Sequence, residues 1–180
     1  PRESFAMPLR VWARHQIRAV VHSHPDKSAD DGPSASDMRQ QIATALPWGL
    51  TCTDGVAASP VIWWGDMLPV PDLVGRPFRH GPSGSDGAGD CYALIRDWYR
   101  VERGIVLREF PRDVEWWNNG ADLYRQGFGD AGFRRLDTDR EQPQPGDVFL
   151  AQVRSPVPNH GGIYLGSGLV LHQLSNRLSR

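Results

Sequence analysis

The 180-residue sequence predicts an α+β chain of two modules. Three observations carry that reading. Short strand-like segments fall into two groups, each accompanied by a helical segment. A proline-containing stretch, Leu68-Pro69-Val70-Pro71-Asp72-Leu73-Val74-Gly75-Arg76-Pro77, separates the groups. The residues able to do chemistry also differ on its two sides: histidines and an aspartate before it, a cysteine and two histidines after it.

The elements follow in order. Residues 17–21 are apolar or β-branched apart from Arg18 and read as a strand ending at His22, followed by a polar loop over 25–33. From Ser34, apolar residues at Met38, Ile42, Ala45 and Leu46 recur at a helical spacing until Pro47 stops the helix. Strands are expected at 49–53 and 61–64. The three prolines between Leu68 and Pro77 suggest an extended linker, which gives modules at 1–68 and 78–180 joined by 69–77. Beyond it, 91–99 and 114–128 read as helices, and 146–153, 161–165 and 169–174 as strands. Gly166-Ser167-Gly168 fits a hairpin turn between the last two.

Composition excludes some classes. Hydrophobic residues at 39 % and charged residues at 23 % match a globular protein, and no apolar run approaches the ~20 residues that cross a bilayer, so no membrane insertion is expected. Net charge of −1 gives no basic field to attract nucleic acid. The chain starts at Pro1 without a secretory signal pattern and reads as a fragment or the ordered part of something longer. Two cysteines allow one disulfide at most. Cys52, in Trp48-Gly49-Leu50-Thr51-Cys52-Thr53, has the setting of a buried strand thiol, whereas Cys91 follows glycines and opens a helical pattern.

A helix N-terminus stabilises a thiolate through its unpaired N–H groups and dipole. Asp90-Cys91-Tyr92-Ala93 puts a sulfur there, and Gly87-Ala88-Gly89 before it permits close approach of a substrate backbone. An imidazole at the start of a strand is offered by Asn159-His160-Gly161-Gly162-Ile163-Tyr164. His172 lies on the following strand, where hairpin pairing would let the second ring orient the first. With Gln144-Pro145-Gly146-Asp147-Val148-Phe149-Leu150 and Leu171-His172, these segments resemble the NlpC-type cysteine peptidases that cut the peptide stems of bacterial cell wall. The resemblance runs from Phe78 to the end. It implies a papain-like fold with Cys91 as nucleophile, His160 as base and His172 as third polar residue, and no cofactor. The 81–89 insertion before the cysteine departs from the pattern.

Upstream, His22-Ser23-His24 places two imidazoles on one face of a strand, where both could bind one zinc ion, with Asp37 supplying an oxygen. Ser34-Ala35-Ser36-Asp37 also has the spacing of a helix capping box. Together His22, His24, Ser34 and Asp37 resemble the JAMM-type zinc metalloproteases, also called the MPN fold. The likeness implies one zinc on His22, His24 and Asp37 with Ser34 in support. The His24-to-Ser34 gap is longer than that family's, and the segment for its activating glutamate is largely missing: Glu3 has a superficially similar context, but Phe5-Ala6-Met7 aligns better with a later strand.

The fold class is therefore α+β, a partial JAMM/MPN-like domain followed by a papain-like NlpC-type cysteine peptidase domain. The tandem, with Glu115-Trp116-Trp117-Asn118-Asn119-Gly120 and Ser155-Pro156-Val157-Pro158, resembles the tail-tip assembly proteins of lambda-like siphophages. Of the adjacent tryptophans, core packing is the expected role. That resemblance implies cleavage of peptidoglycan stem peptides during cell-wall penetration, and contact with other phage tail-tip proteins. It also implies a virion tail tip assembled in the host cytoplasm and acting in the periplasm or wall. Two alternatives stand beside it: a structural assembly component with vestigial sites, and a zinc isopeptidase processing a phage protein.

Overall fold

The computed structural model describes residues 16–25 and 32–180. Glu3, Phe5-Ala6-Met7 and most of the loop expected over 25–33 lie outside them. No helix among the described residues is long and apolar enough to cross a membrane.

The first sheet is built from β1 (Val20–Pro25), β2 (Trp48–Thr53) and β3 (Ile62–Trp64), in that order. β1 and β2 are parallel and β2 and β3 antiparallel. Parallel neighbours need a crossover, and α1 (Ala35–Thr44) provides it. The first strand does not end at His22 as the sequence suggested. It continues to Pro25 because pairing of His22 with Leu50 and of His24 with Cys52 holds the histidines in the ladder despite their weak strand preference. Val20, Trp48, Leu50 and Trp64 form the apolar centre beneath it.

α1 starts where the capping pattern predicts. Ser34 Oγ accepts from the Asp37 N–H at 3.3 Å, and Asp37 accepts from the Ser34 N–H at 2.8 Å. Such a cap stabilises a helix by about 1 kcal/mol.

The connecting stretch is held by a buried arginine. Arg76 donates to Asp97 at 2.7 Å, to Ser83 at 2.9 Å and to the carbonyls of Pro71 and Asp72. The 81–89 insertion turns back onto the first sheet: Gly84 bridges to Trp64, and Ser85 exchanges hydrogen bonds with the Trp63 backbone. Arg79 closes this loop on itself by bonding Asp86 and the Pro82 and Ala88 carbonyls.

Next comes α2 (Cys91–Arg103), longer than the expected 91–99, ending at Gly104 in the left-handed region. Its buried face of Tyr92, Leu94, Ile95 and Trp98 packs on Ile163 and Leu171 of a second sheet. That sheet is an antiparallel meander of β4 (Val148–Ala151), β5 (His160–Gly166) and β6 (Leu169–His172). Ser167 and Gly168, both with positive φ, form the two-residue turn between β5 and β6. Gly161 lets α2 come close, since a Cβ there would sit 3.2 Å from Ile95 Cδ1.

One helix was expected over 114–128. The chain instead forms a 3-10 turn, Trp116–Asn119, and then α3 (Leu123–Asp130). Glu115 and Gly120 adopt positive φ at either end of the turn, which interrupts the helical path. Trp116 is buried and Trp117 half-buried against the same core, their rings 5.5 Å apart.

Candidate active site

Asp90 caps α2 by accepting from the Ala93 N–H at 2.9 Å, which fixes Cys91 as the first residue of the helix. The sulfur lies beside the Gly161 backbone amide, and Gly161 directly follows His160. Helix start and strand start therefore meet at this point. Cys91 and His160 are each only 7 % exposed.

On the sheet, His172 pairs with Gly162 in register, so the rings of His160 and His172 stand on one face with centroids 5.3 Å apart. Nε2 of His160 is 3.1 Å from Nδ1 of His172. Gly162 makes this possible: a Cβ there would fall 2.7 Å from His172 Cβ and 2.6 Å from the Leu171 carbonyl. Phe149 closes over the pair, its ring 6.0 Å from His160 and 6.4 Å from His172.

The electrostatics differ from the simple expectation of a helix-lowered thiol. Burial, then the Asp90 carboxylate, push Cys91 up to about 11, against the opposing pull of Tyr124, Gly161 and Arg112. Burial and the neighbouring His172 bring His160 down to about 4. At neutral pH the site thus holds a protonated thiol and a neutral His160 imidazole. Burial and Arg180 lower His172 as well.

Two residues that act on the sulfur, Tyr124 and Arg112, carry no mark in the sequence. The Tyr124 hydroxyl, from α3, lies 3.0 Å from Cys91 Sγ, so the thiol's hydrogen bond goes to a phenol rather than to an imidazole. Arg112 forms a bidentate pair with Asp90 at 2.6 and 2.9 Å and binds Glu109 at 2.7 Å. Burial alone would raise Asp90, but Arg112 outweighs it and keeps the carboxyl below its ordinary range. No local pattern marks Tyr124 or Arg112, because their partners Cys91 and Asp90 lie 33 and 22 positions away.

The upstream cluster is also assembled. Nε2 of His22 and Nε2 of His24 are 3.1 Å apart, and each is 3.2 Å from an Asp37 carboxylate oxygen. Zinc ligands in a tetrahedral shell at ~2.0–2.1 Å from the metal lie roughly 3.3 Å from one another. The 3.1 Å between the two nitrogens matches that spacing, and the carboxylate turns Oδ1 to His22 and Oδ2 to His24, so two imidazoles and one carboxylate are a donor set that fits a zinc ion. Among the described residues the cluster comprises these three. Ser34 Oγ donates to Asp37 at 2.7 Å and orients it. Burial would raise Asp37, yet hydrogen bonds from His22 and Ser34 bring it down to about 2. A separate cleft of about 310 Å³ runs between Trp64, Pro69, Ser83 and Arg100, and neither Cys91 nor His160 lines it.

Comparison with known proteins places this geometry. Residues 75–180 match the NlpC/P60 family. The tail tip assembly protein K of Escherichia phage lambda is 37 % identical over 172 residues, covering 96 % of this chain and 77 % of that protein. The protein of the same name from Escherichia phage N15 is 33 % identical over 186 residues, covering 100 % and 70 %. The chain belongs to the tail tip assembly protein K family and carries an NlpC/P60 domain. That domain, of the cysteine-peptidase type, gives the second sheet and α2 an α+β peptidase fold. No solved structure matches this member of the family.

Proposed function

We propose that this chain is a phage tail-tip cysteine endopeptidase that cuts peptidoglycan stem peptides, aiding tail assembly and wall penetration during genome delivery. The observation that supports it best is the position of the Cys91 sulfur, at the head of α2 and beside the backbone amide of Gly161, the residue that follows His160, whose ring contacts His172 across β5 and β6. Family membership agrees with it.

In this reading His160 takes the Cys91 proton as the sulfur attacks the amide carbonyl carbon. The C=O π bond opens to an oxyanion, which collapses to a thioester as His160 hands the proton to the leaving amine. Water, deprotonated by His160, then releases the acid and the free thiol. His172 is a positioning residue that holds the tautomer of His160.

The bond between D-glutamate and diaminopimelate is the proposed target, within a papain-like module at 78–180 joined by 69–77 to a module at 1–68. Proposed partners are the stem peptides and other tail-tip proteins, with the chain carried at the virion tail tip and acting in the periplasm or wall. Defined muropeptides incubated with the chain test this. Cleavage that a thiol alkylator abolishes and a chelator spares supports the cysteine site.

A second reading concerns the first module. The convergence of His22, His24 and Asp37 supports one bound zinc ion, which would supply a Lewis acid there. His22, His24 and Asp37 would hold it, with Ser34 orienting the carboxylate in the manner of a JAMM/MPN-like module. Cleavage inhibited by chelator alone would favour that module as the active one.

A further inference from the structure

The Tyr124 ring is buried among Trp116, Phe128 and Tyr92, with centroids 5.4, 5.4 and 6.4 Å away. Phenylalanine would fill that space equally well. A hydroxyl there must be desolvated, and its partner is Cys91 Sγ at 3.0 Å. A neutral thiol is a weak acceptor and offsets little of that cost. The same hydrogen bond strengthens greatly once its acceptor carries charge.

The segment bearing Tyr124 supports this reading. From Val114 to Gly132 it packs largely through aromatic side chains; among the described residues its side-chain hydrogen bond to the rest of the molecule is Tyr124 to Cys91, the others across its ends being backbone bonds to the flanking Asp113 and Phe133. Its other polar contacts, such as Asn118 to Glu115 and Arg125 to Asp122, are internal. The segment thus brings one polar atom to the sulfur.

Resting on the cysteine-peptidase reading, we propose that Tyr124 is a further catalytic residue, its O–H donating first to the Cys91 thiolate and then to the oxyanion formed on the substrate carbonyl. The hydroxyl keeps its proton throughout. As the S–C bond forms, negative charge passes from sulfur to the carbonyl oxygen, and the phenol follows by a small shift of its hydrogen bond. When the C–N bond breaks, the oxyanion electron pair restores the C=O and the hydroxyl returns to sulfur at deacylation. Stabilisation of this kind is greater in the transition state than at rest, as rate acceleration requires. Burial and the nearby Cys91 raise Tyr124 well above the ordinary phenol range, consistent with a donor that stays protonated.

The test is Tyr124→Phe, read two ways: the pH dependence of Cys91 alkylation by iodoacetamide, with the adduct located on Cys91 rather than Cys52, and kcat/KM on a defined stem-peptide muropeptide. Expected are an alkylation curve displaced to higher pH and kcat/KM lower by about 10²-fold. An unmoved curve with unchanged kcat/KM overturns the proposal. Faster alkylation and cleavage also overturn it, since they would make the phenol a latch over the sulfur. Should Tyr124→Phe fail to fold, difluorotyrosine at position 124 keeps the ring and makes a stronger donor. It must then move the alkylation curve to lower pH, and no movement rejects the idea. Muropeptide cleavage surviving Cys91→Ala removes the peptidase reading itself, while the alkylation curves still report on the Tyr124–Cys91 bond.

Discussion

Nε2 of His160 and Nδ1 of His172 lie 3.1 Å apart, and this single contact constrains the proton arrangement of the site. For His160 to accept a proton from sulfur through Nδ1, its own hydrogen must sit on Nε2 and be donated to His172. His172 must therefore present an unprotonated Nδ1. On the proposed mechanism, then, the hairpin selects a tautomer as well as a position.

Removing the second ring should impair the first without abolishing it. His172→Ala is expected to lower kcat on muropeptides by about 10²-fold, and His160→Ala by at least as much, within the span general acid–base catalysis covers. His172→Asn, which can still accept a hydrogen bond from His160, should recover part of the loss. Steady-state kinetics on the three variants checks this, and equal activity of His172→Ala and parent would contradict it.

The pH behaviour follows from His160. Its folded value of about 4 lies below the ordinary 6.5, so between those values the unfolded chain binds a proton that the folded chain does not. Stability therefore rises with pH across that window and is lost as the solution is acidified through it. Urea titrations from pH 7 to pH 4 should show the slope, and His160→Gln should flatten it. The acid limb of kcat/KM should likewise fall near pH 4.

Gly162 is demanded by its neighbours. A methyl group there would meet the Leu171 carbonyl at 2.6 Å and His172 Cβ at 2.7 Å, so backbone must move. Gly162→Ala is expected to cost about 1–3 kcal/mol and to lose activity beyond that cost, because His172 shifts with its strand. Denaturant unfolding and kinetics on the same preparation separate the two effects.

Arg112 holds two buried carboxylates, Asp90 and Glu109. Arg112→Met strips buried Asp90 of its guanidinium, while Glu109 keeps Arg96 at 2.9 Å, and should destabilise the fold by about 3–5 kcal/mol. Adding Asp90→Asn should restore part of it, a non-additivity that a double-mutant cycle reads directly.

The zinc proposal has its own measurement. The purified chain should take up one zinc per molecule, with a rise in thermal midpoint, and His22→Ala should remove both effects. A chain that takes up no zinc under saturating conditions contradicts it.

Much of this arrangement is legible in the sequence because it is local. The Ser34–Asp37 box, the Asp90-Cys91 helix start and the Gly166-Ser167-Gly168 turn each depend on residues a few positions apart, and the structure forms all three. The alternation of His22 and His24 marks both as strand positions, but the end of β1 at Pro25 is not legible, since it depends on pairing with β2. Nor was the break between Trp116 and α3, where burial of aromatic side chains and positive φ at Glu115 and Gly120 override helical periodicity. Tyr124 and Arg112 escaped notice for the same reason: their partners are reached only through the tertiary fold.

On the proposed mechanism the Cys91 sulfur does the chemistry. Incubating Cys91→Ala and the parent chain with a defined stem-peptide muropeptide, and reading products by mass, tests it most directly. The parent should cleave and the variant should not, with both unfolding cooperatively. Cleavage at the same rate by both would contradict it.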